Sequence, residues 1–198
     1  MSGTARGIMP FITGSGGPRV RYGRLNASEA FREGALVGIN DEGEVEEFPV
    51  DGSPAILTDV FTLASSGILG GISAMDGDTT RTDGFARTGG TAGGAADLIS
   101  YYPWNDGNLF ITKNFWATGD PTTASIPAGT SVGDDYLIVA RASDDLWGLE
   151  LTAGVQGTNP TATIHQVLNV RMEPILADDT TTGKWVVFEI KAGVEQAN

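Results

Sequence analysis

Near the start of the chain, two apolar runs flank a polar break. Ala35-Leu36-Val37-Gly38-Ile39 leads into Asn40-Asp41-Glu42-Gly43, and a second run, Glu44 to Val50, closes at Asp51-Gly52. Extended runs joined by a Gly-bearing loop predict a β-hairpin. Strand side chains alternate, so Ala35, Val37 and Ile39 share one face and Leu36 and Gly38 the other. The polar lead-in from Ser28 to Arg32 has room for one helical turn at most. Ala55 to Phe61 predicts a third strand.

The same alternation recurs toward the C-terminus. Tyr136 to Ala142 and Leu146 to Thr152 flank Ser143-Asp144-Asp145, a three-residue hairpin loop. Thr163 to Met172 predicts a strand with Ile164, Leu168, Val170 and Met172 on one face and His165, Val167, Asn169 and Arg171 on the other. Lys184 to Lys191 sets Val186, Phe188 and Ile190 against Trp185 and Val187, with Asp178 to Gly183 as the connecting turn. Leu98 to Tyr102 and Leu109 to Trp116 predict two more strands around a turn at Pro103-Trp104-Asn105-Asp106-Gly107. No amphipathic helix of three turns, tandem repeat or heptad pattern is visible. The pattern is that of an all-β domain. Residues 64–96, dominated by Gly, Ala, Ser, Thr and Asp, read as an irregular insertion. Its Ile68, Leu69, Ile72, Met75 and Phe85 imply packing on the body or on a neighbour rather than disorder.

Composition supports this picture. Gly accounts for 28 of 198 residues, which suits strands joined by many turns. With no cysteine, disulfides and thiolate metal sites are excluded. No run approaches the roughly 20 apolar residues of a membrane helix. The N-terminus lacks a signal-peptide pattern, so synthesis and folding in a cytoplasm are expected.

Charge divides the chain. Residues 1–32 hold five arginines and one acid, a net of +4, whereas residues 33–198 hold seven basic and 24 acidic residues, a net of −17. The acidic part should repel nucleic acid, whose binding rests on Lys and Arg neutralising phosphates. Residues 1–27, rich in Gly and with no sustained periodicity, read as an extended N-terminal arm on a β-rich body spanning 28–198. In an isolated monomer such a segment is expected to be a loose terminus. Its arginines, with Phe11, Ile12 and Tyr22, favour an arm docked in an assembly.

Candidate chemistry is sparse. Asp76 to Gly84 has the carboxylates of a calcium loop but fails its pattern: Arg81 stands where Gly is required and no Glu closes the site. His165 is the only histidine, too few for a histidine zinc site. The pairs Glu44/Glu46 and Asp144/Asp145 sit in or beside predicted turns, where a solvated surface is the expectation. Thr13-Gly14-Ser15-Gly16-Gly17 lacks the Lys-Ser/Thr of a phosphate loop. The expectation is therefore no catalytic residue, no metal and no cofactor. Tyr101, Tyr102, Trp104 and Trp116 fall in an aromatic stretch that reads as core or subunit interface, with a sugar-stacking platform as the sharper alternative.

The phrase Phe31-Arg32-Glu33-Gly34-Ala35-Leu36-Val37-Gly38-Ile39, followed by Gly43-Glu44-Val45, resembles the small cement, or head decoration, proteins of tailed-phage capsids. Their recurring phrase is a Gly, an aliphatic strand, a turn containing Asp or Asn and Gly, and a returning strand. The resemblance covers residues 28–60. It implies a compact β-barrel or β-sandwich, displayed as a homotrimer on the outside of the head and bridging major capsid subunits. On that reading the partner is the major capsid protein, with no direct contact to nucleic acid or membrane. The arm residues Phe11, Ile12, Arg19, Arg21, Tyr22 and Arg24 would grip the capsid. A lectin-like or receptor-binding accessory using Tyr101, Tyr102, Trp104 and Trp116 is the alternative.

Overall fold

A computed structural model of the chain describes residues 7–11, 17–27, 29–40, 42–48, 68–80, 86–90, 95–105, 107–116, 126, 130–141, 146–151, 161–175 and 183–191. The expected strand at Ala55 to Phe61, the hairpin loop Ser143 to Asp145 and most of the turn at 178–183 lie outside these residues, as does Ile12.

The fold is all-β, with fourteen strands and no helix among the described residues. The N-terminal strands are β1 (Met9–Phe11), β2 (Arg21–Leu25), β3 (Ala30–Phe31), β4 (Leu36–Ile39) and β5 (Glu44–Glu47). They are followed by β6 (Ile68–Ser73), β7 (Gly77–Asp78), β8 (Leu98–Pro103), β9 (Leu109–Thr112) and β10 (Phe115–Trp116). The C-terminal strands are β11 (Asp135–Arg141), β12 (Leu146–Glu150), β13 (Thr161–Leu168) and β14 (Trp185–Lys191).

Five strands close a barrel in the order β2-β5-β4-β6-β8. Closure leaves no barrel strand as a sheet edge, although β2 meets β5 only at Arg24 and Leu25. A seven-stranded sheet runs β1-β9-β14-β13-β11-β12-β10, and β3 and β7 form a two-stranded ribbon. The expected hairpin is present: Ile39 faces Val45 and Val37 faces Glu47 across β4 and β5. Gly43, in the left-handed region at φ 77°, makes the turn. In place of a helical turn at Ser28 to Arg32, Ala30 and Phe31 form β3, because Phe31 is fully buried and pairs opposite Gly77.

One core joins the barrel to the large sheet. Leu25, Leu36, Val45, Ile72 and Ile99 from the barrel cluster with Phe110, Trp147, Leu149, Ile164 and Phe188 from the sheet. Phe110 and Phe188 are cross-strand partners with ring centroids 6.1 Å apart. On β14, Val186, Phe188 and Ile190 face this core, while Val187 turns to a second cluster with Ile111 and Leu168. The alternation expected for this strand is therefore met.

Three expectations change. The insertion at 64–96 contains a full barrel strand: β6 pairs with β4 on one side and β8 on the other. Its sequence, Ile68-Leu69-Gly70-Gly71-Ile72-Ser73, reads as loop because of its glycines, but packing requires them. Gly71 sits at φ 148°, and a Cβ there would overlap the Tyr102 carbonyl oxygen; one at Gly70 would lie 3.0 Å from the Val37 carbonyl oxygen. Second, β13 stops at Leu168 rather than Met172. A bulge between Ile164 and Gln166 reverses the face order, so Val167 joins Ile164 in the main core and Leu168 crosses to the other side.

Third, the segment read as an arm contributes a strand to each of the two larger sheets. β1 pairs with β9, and β2 closes the barrel between β5 and β8. Gly7 and Ile8 lie against Gly34, whose carbonyl accepts the Ile8 N–H at 3.1 Å. Burial of Leu25 and Ile8 holds the segment, which its glycines and arginines obscure in the sequence.

Candidate protein-binding face

β2 has short, irregular patterning, yet both of its edges are laddered. On one side Arg21, Tyr22, Gly23 and Arg24 pair with Tyr101, Ser100, Ile99 and Leu98, and on the other Arg24 and Leu25 pair with Glu44 and Val45. Gly23 points inward, where a Cβ would stand 2.5 Å from Val45 Cγ2. The neighbouring residues point outward. Tyr22 is 68% exposed and Leu98 59%, and they are diagonal neighbours across the β2–β8 pair. Val20, two positions before Tyr22, is 40% exposed. Arg19 and Arg21 are exposed as well, Arg21 on the Gly23 side of β2, opposite Tyr101. The Arg19 backbone N–H donates to Asn108 Oδ1 at 3.2 Å, fixing the approach to the strand. The result is an exposed apolar patch on the barrel wall, with exposed arginines in the same segment, in a chain of net charge −13.

Arg24 has a different role. Its guanidinium lies 3.6 Å from the Glu44 carboxylate, which is 1% exposed and accepts no hydrogen bond. A buried carboxylate needs a counter-charge, so Arg24 stabilises the barrel. The solvated setting expected for Glu44 is thus corrected: strand pairing with β2 buries it. Glu46 is half-buried and accepts a hydrogen bond from Asn26 Nδ2 at 2.9 Å. Asp144 and Asp145 lie outside the described residues.

Nor do the aromatics form a shared platform. Tyr101 is buried in the main core. Tyr102 is half-buried against that core, and burial, then the Glu33 carboxylate, push its hydroxyl pKa up. Trp104 also packs there, and its indole N–H donates to the Leu69 carbonyl at 2.9 Å. Trp116 belongs to β10 at the edge of the large sheet; its side chain is outside the description. Phe11 is half-buried against the second cluster. Tyr101 thus belongs to the core, and Tyr102 and Trp104 pack against it while partly exposed.

Other candidates resolve locally. Asp78 Oδ1 accepts hydrogen bonds from the Thr80 N–H and hydroxyl, an ordinary turn. His165 sits at the β13 bulge, exposed, 3.3 Å from the Glu189 carboxylate. No group of three or more metal-ligating side chains occurs among the described residues. No helix among them is long and apolar enough to cross a membrane. Leu98 was missed as a site residue because alternation places it at a strand start without saying which face is covered.

The chain matches no protein-family model, curated protein or solved structure. The fold class and the β2–β8 face therefore rest on this chain's own geometry.

Proposed function

We propose that this protein is a structural component of a phage virion that binds the outside of the capsid. In this role it bridges major capsid subunits and holds the head against internal DNA pressure. It is made in the host cytoplasm, joins the shell as a homotrimer and transforms no substrate. The observation that carries this reading is the exposed apolar β2–β8 face, Val20, Tyr22 and Leu98, with exposed Arg19 and Arg21 in the same segment. Contiguous exposed apolar residues on a soluble fold mark contact with another macromolecule. The wording of the Phe31 to Val45 hairpin, which resembles phage head decoration proteins, supports the capsid as the partner. A face on strands built into the barrel binds without the ordering cost of a free arm, so its area converts more fully into affinity. A sugar-stacking role has less support, since Tyr101 is buried and the Trp104 indole is engaged within the chain.

The test is co-sedimentation with assembled heads. Tyr22→Asp combined with Leu98→Asp should abolish occupancy while leaving the fold intact, because both side chains point outward. Replacing Arg19 and Arg21 with Glu should weaken attachment most at low salt. Full occupancy by both variants would overturn the proposal.

A further inference from the structure

The turn that follows β13 is held firmly and carries apolar side chains outward. Asn169 Oδ1 accepts the backbone N–H groups of Arg171 at 2.7 Å and Glu173 at 3.1 Å. Asn169 Nδ2 donates to Glu173 Oε2 at 3.0 Å. The Asn169 N–H reaches the Glu173 carbonyl at 2.9 Å, and the Met172 N–H reaches the Asn169 carbonyl at 3.0 Å. Met172 has a φ of 64°, the one left-handed non-glycine residue among the described residues. At the tip, Val170 is 76% exposed and Met172 45%, with exposed Arg171 between them. A solvent-facing hairpin end would ordinarily carry Gly, Asn or Asp, which tolerate such backbone and lose nothing to water.

A receptor of matching character lies on the barrel. A cleft of about 590 Å³ opens beside β6 and β7. Glu33, Asp76 and Asp97 line it together with Arg87, so its charged side chains sum to a net of −2. Ala74 and Met75 supply apolar wall. Met75 is held in place by Ser100, whose N–H and hydroxyl approach its sulfur at 3.3 and 3.2 Å. The volume falls within the range of about 300–1,000 Å³ typical of binding clefts.

We propose that the Val170-Arg171-Met172 tip of one copy seats in the Glu33–Asp76–Asp97 cleft of a second copy of this chain. Val170 and Met172 would bury against Ala74 and Met75, and Arg171 would meet the carboxylates. The acidic side chain of the turn, Glu173, is held by Asn169. Tip and cleft are different surfaces on different sheets, so the contact is head-to-tail and builds rings or open chains rather than isolated pairs. It uses no residue of the β2–β8 face, so self-docking and capsid attachment fail independently.

The experiment is sedimentation velocity on the full chain over a concentration series. The wild-type chain should associate. Val170→Asp (tip) and Glu33→Arg (cleft) should each weaken association at least about tenfold. Both positions are exposed, and circular dichroism checks that each variant is folded. Mixing the two variants is the decisive measurement. The intact tip of one fits the intact cleft of the other, so 1:1 pairs should form and grow no further. A wild-type chain that stays monomeric would overturn the proposal and assign tip and cleft to other partners. Association unchanged in either variant, or a mixture that stays monomeric, would also overturn it.

Discussion

Glu29 offers a direct test of how the two sheets are joined. It lies just before β3, half-buried, and its Oε2 accepts the Glu47 backbone N–H at 2.9 Å. Burial, reinforced by the Glu46 and Glu47 carboxylates, raises its pKa from 4.5 to about 7, against the lowering effect of that hydrogen bond. Glu47 in turn accepts the Trp147 indole N–H at 2.8 Å, a bond from the barrel to the large sheet. In the unfolded chain Glu29 loses its proton near pH 4.5; in the folded chain it keeps it until about pH 7. Between these values the folded state binds more protons, so stability falls as pH rises. The shift corresponds to at most about 3 kcal/mol. Because the side chain is partly exposed, solvent screening reduces the expected figure to about 1–2 kcal/mol. Glu29→Gln keeps an acceptor for Glu47 and removes the charge. In urea denaturation the variant should match wild type at or below pH 4.5 and exceed it by about 1–2 kcal/mol above pH 7. An equal gain at both pH values, or parallel pH dependence in the two proteins, would refute the reasoning.

Other substitutions test the barrel. Arg24→Ala leaves the buried Glu44 carboxylate without its counter-charge and should cost about 2 kcal/mol in urea denaturation, less than a fully buried pair because the guanidinium is partly exposed. Adding Glu44→Gln should recover at least half of that loss; no recovery would mean that the pair does not stabilise the barrel. Gly71→Ala places a Cβ against the Tyr102 carbonyl in a left-handed backbone and should cost at least about 2 kcal/mol. A thermal midpoint equal to that of wild type would contradict the close approach of β6 to β8.

Alternation in the sequence was a reliable guide where one face meets the core and the other does not. Val186, Phe188 and Ile190 on β14 lie on the face expected, and the β4–β5 hairpin pairs as expected, although Leu36 joins Ala35 and Val37 in the same core. It failed where local chemistry conflicts with long-range packing. Ile68 to Ser73 looks like a loop because of two glycines, which the barrel needs for close backbone contact with β4 and β8. Thr163 to Met172 looks like one strand because a bulge inserts a residue without changing composition. Of the candidate site residues, Tyr22, Arg19 and Arg21 are exposed, Tyr22 and Arg21 on opposite sides of β2, whereas Arg24 is drawn into an ion pair that only the register of β2 against β5 creates.

Composition, turn placement and period-2 alternation were enough to determine an all-β chain with an acidic body and a basic leading segment. These are local properties, carried by each residue and its near neighbours. Barrel closure, the incorporation of residues 21–25 as a wall strand, the burial of Glu44 and the exposure of Leu98 were decided by tertiary structure. Each depends on which distant strand supplies the neighbouring ladder, and that pairing is set by burial of the shared core.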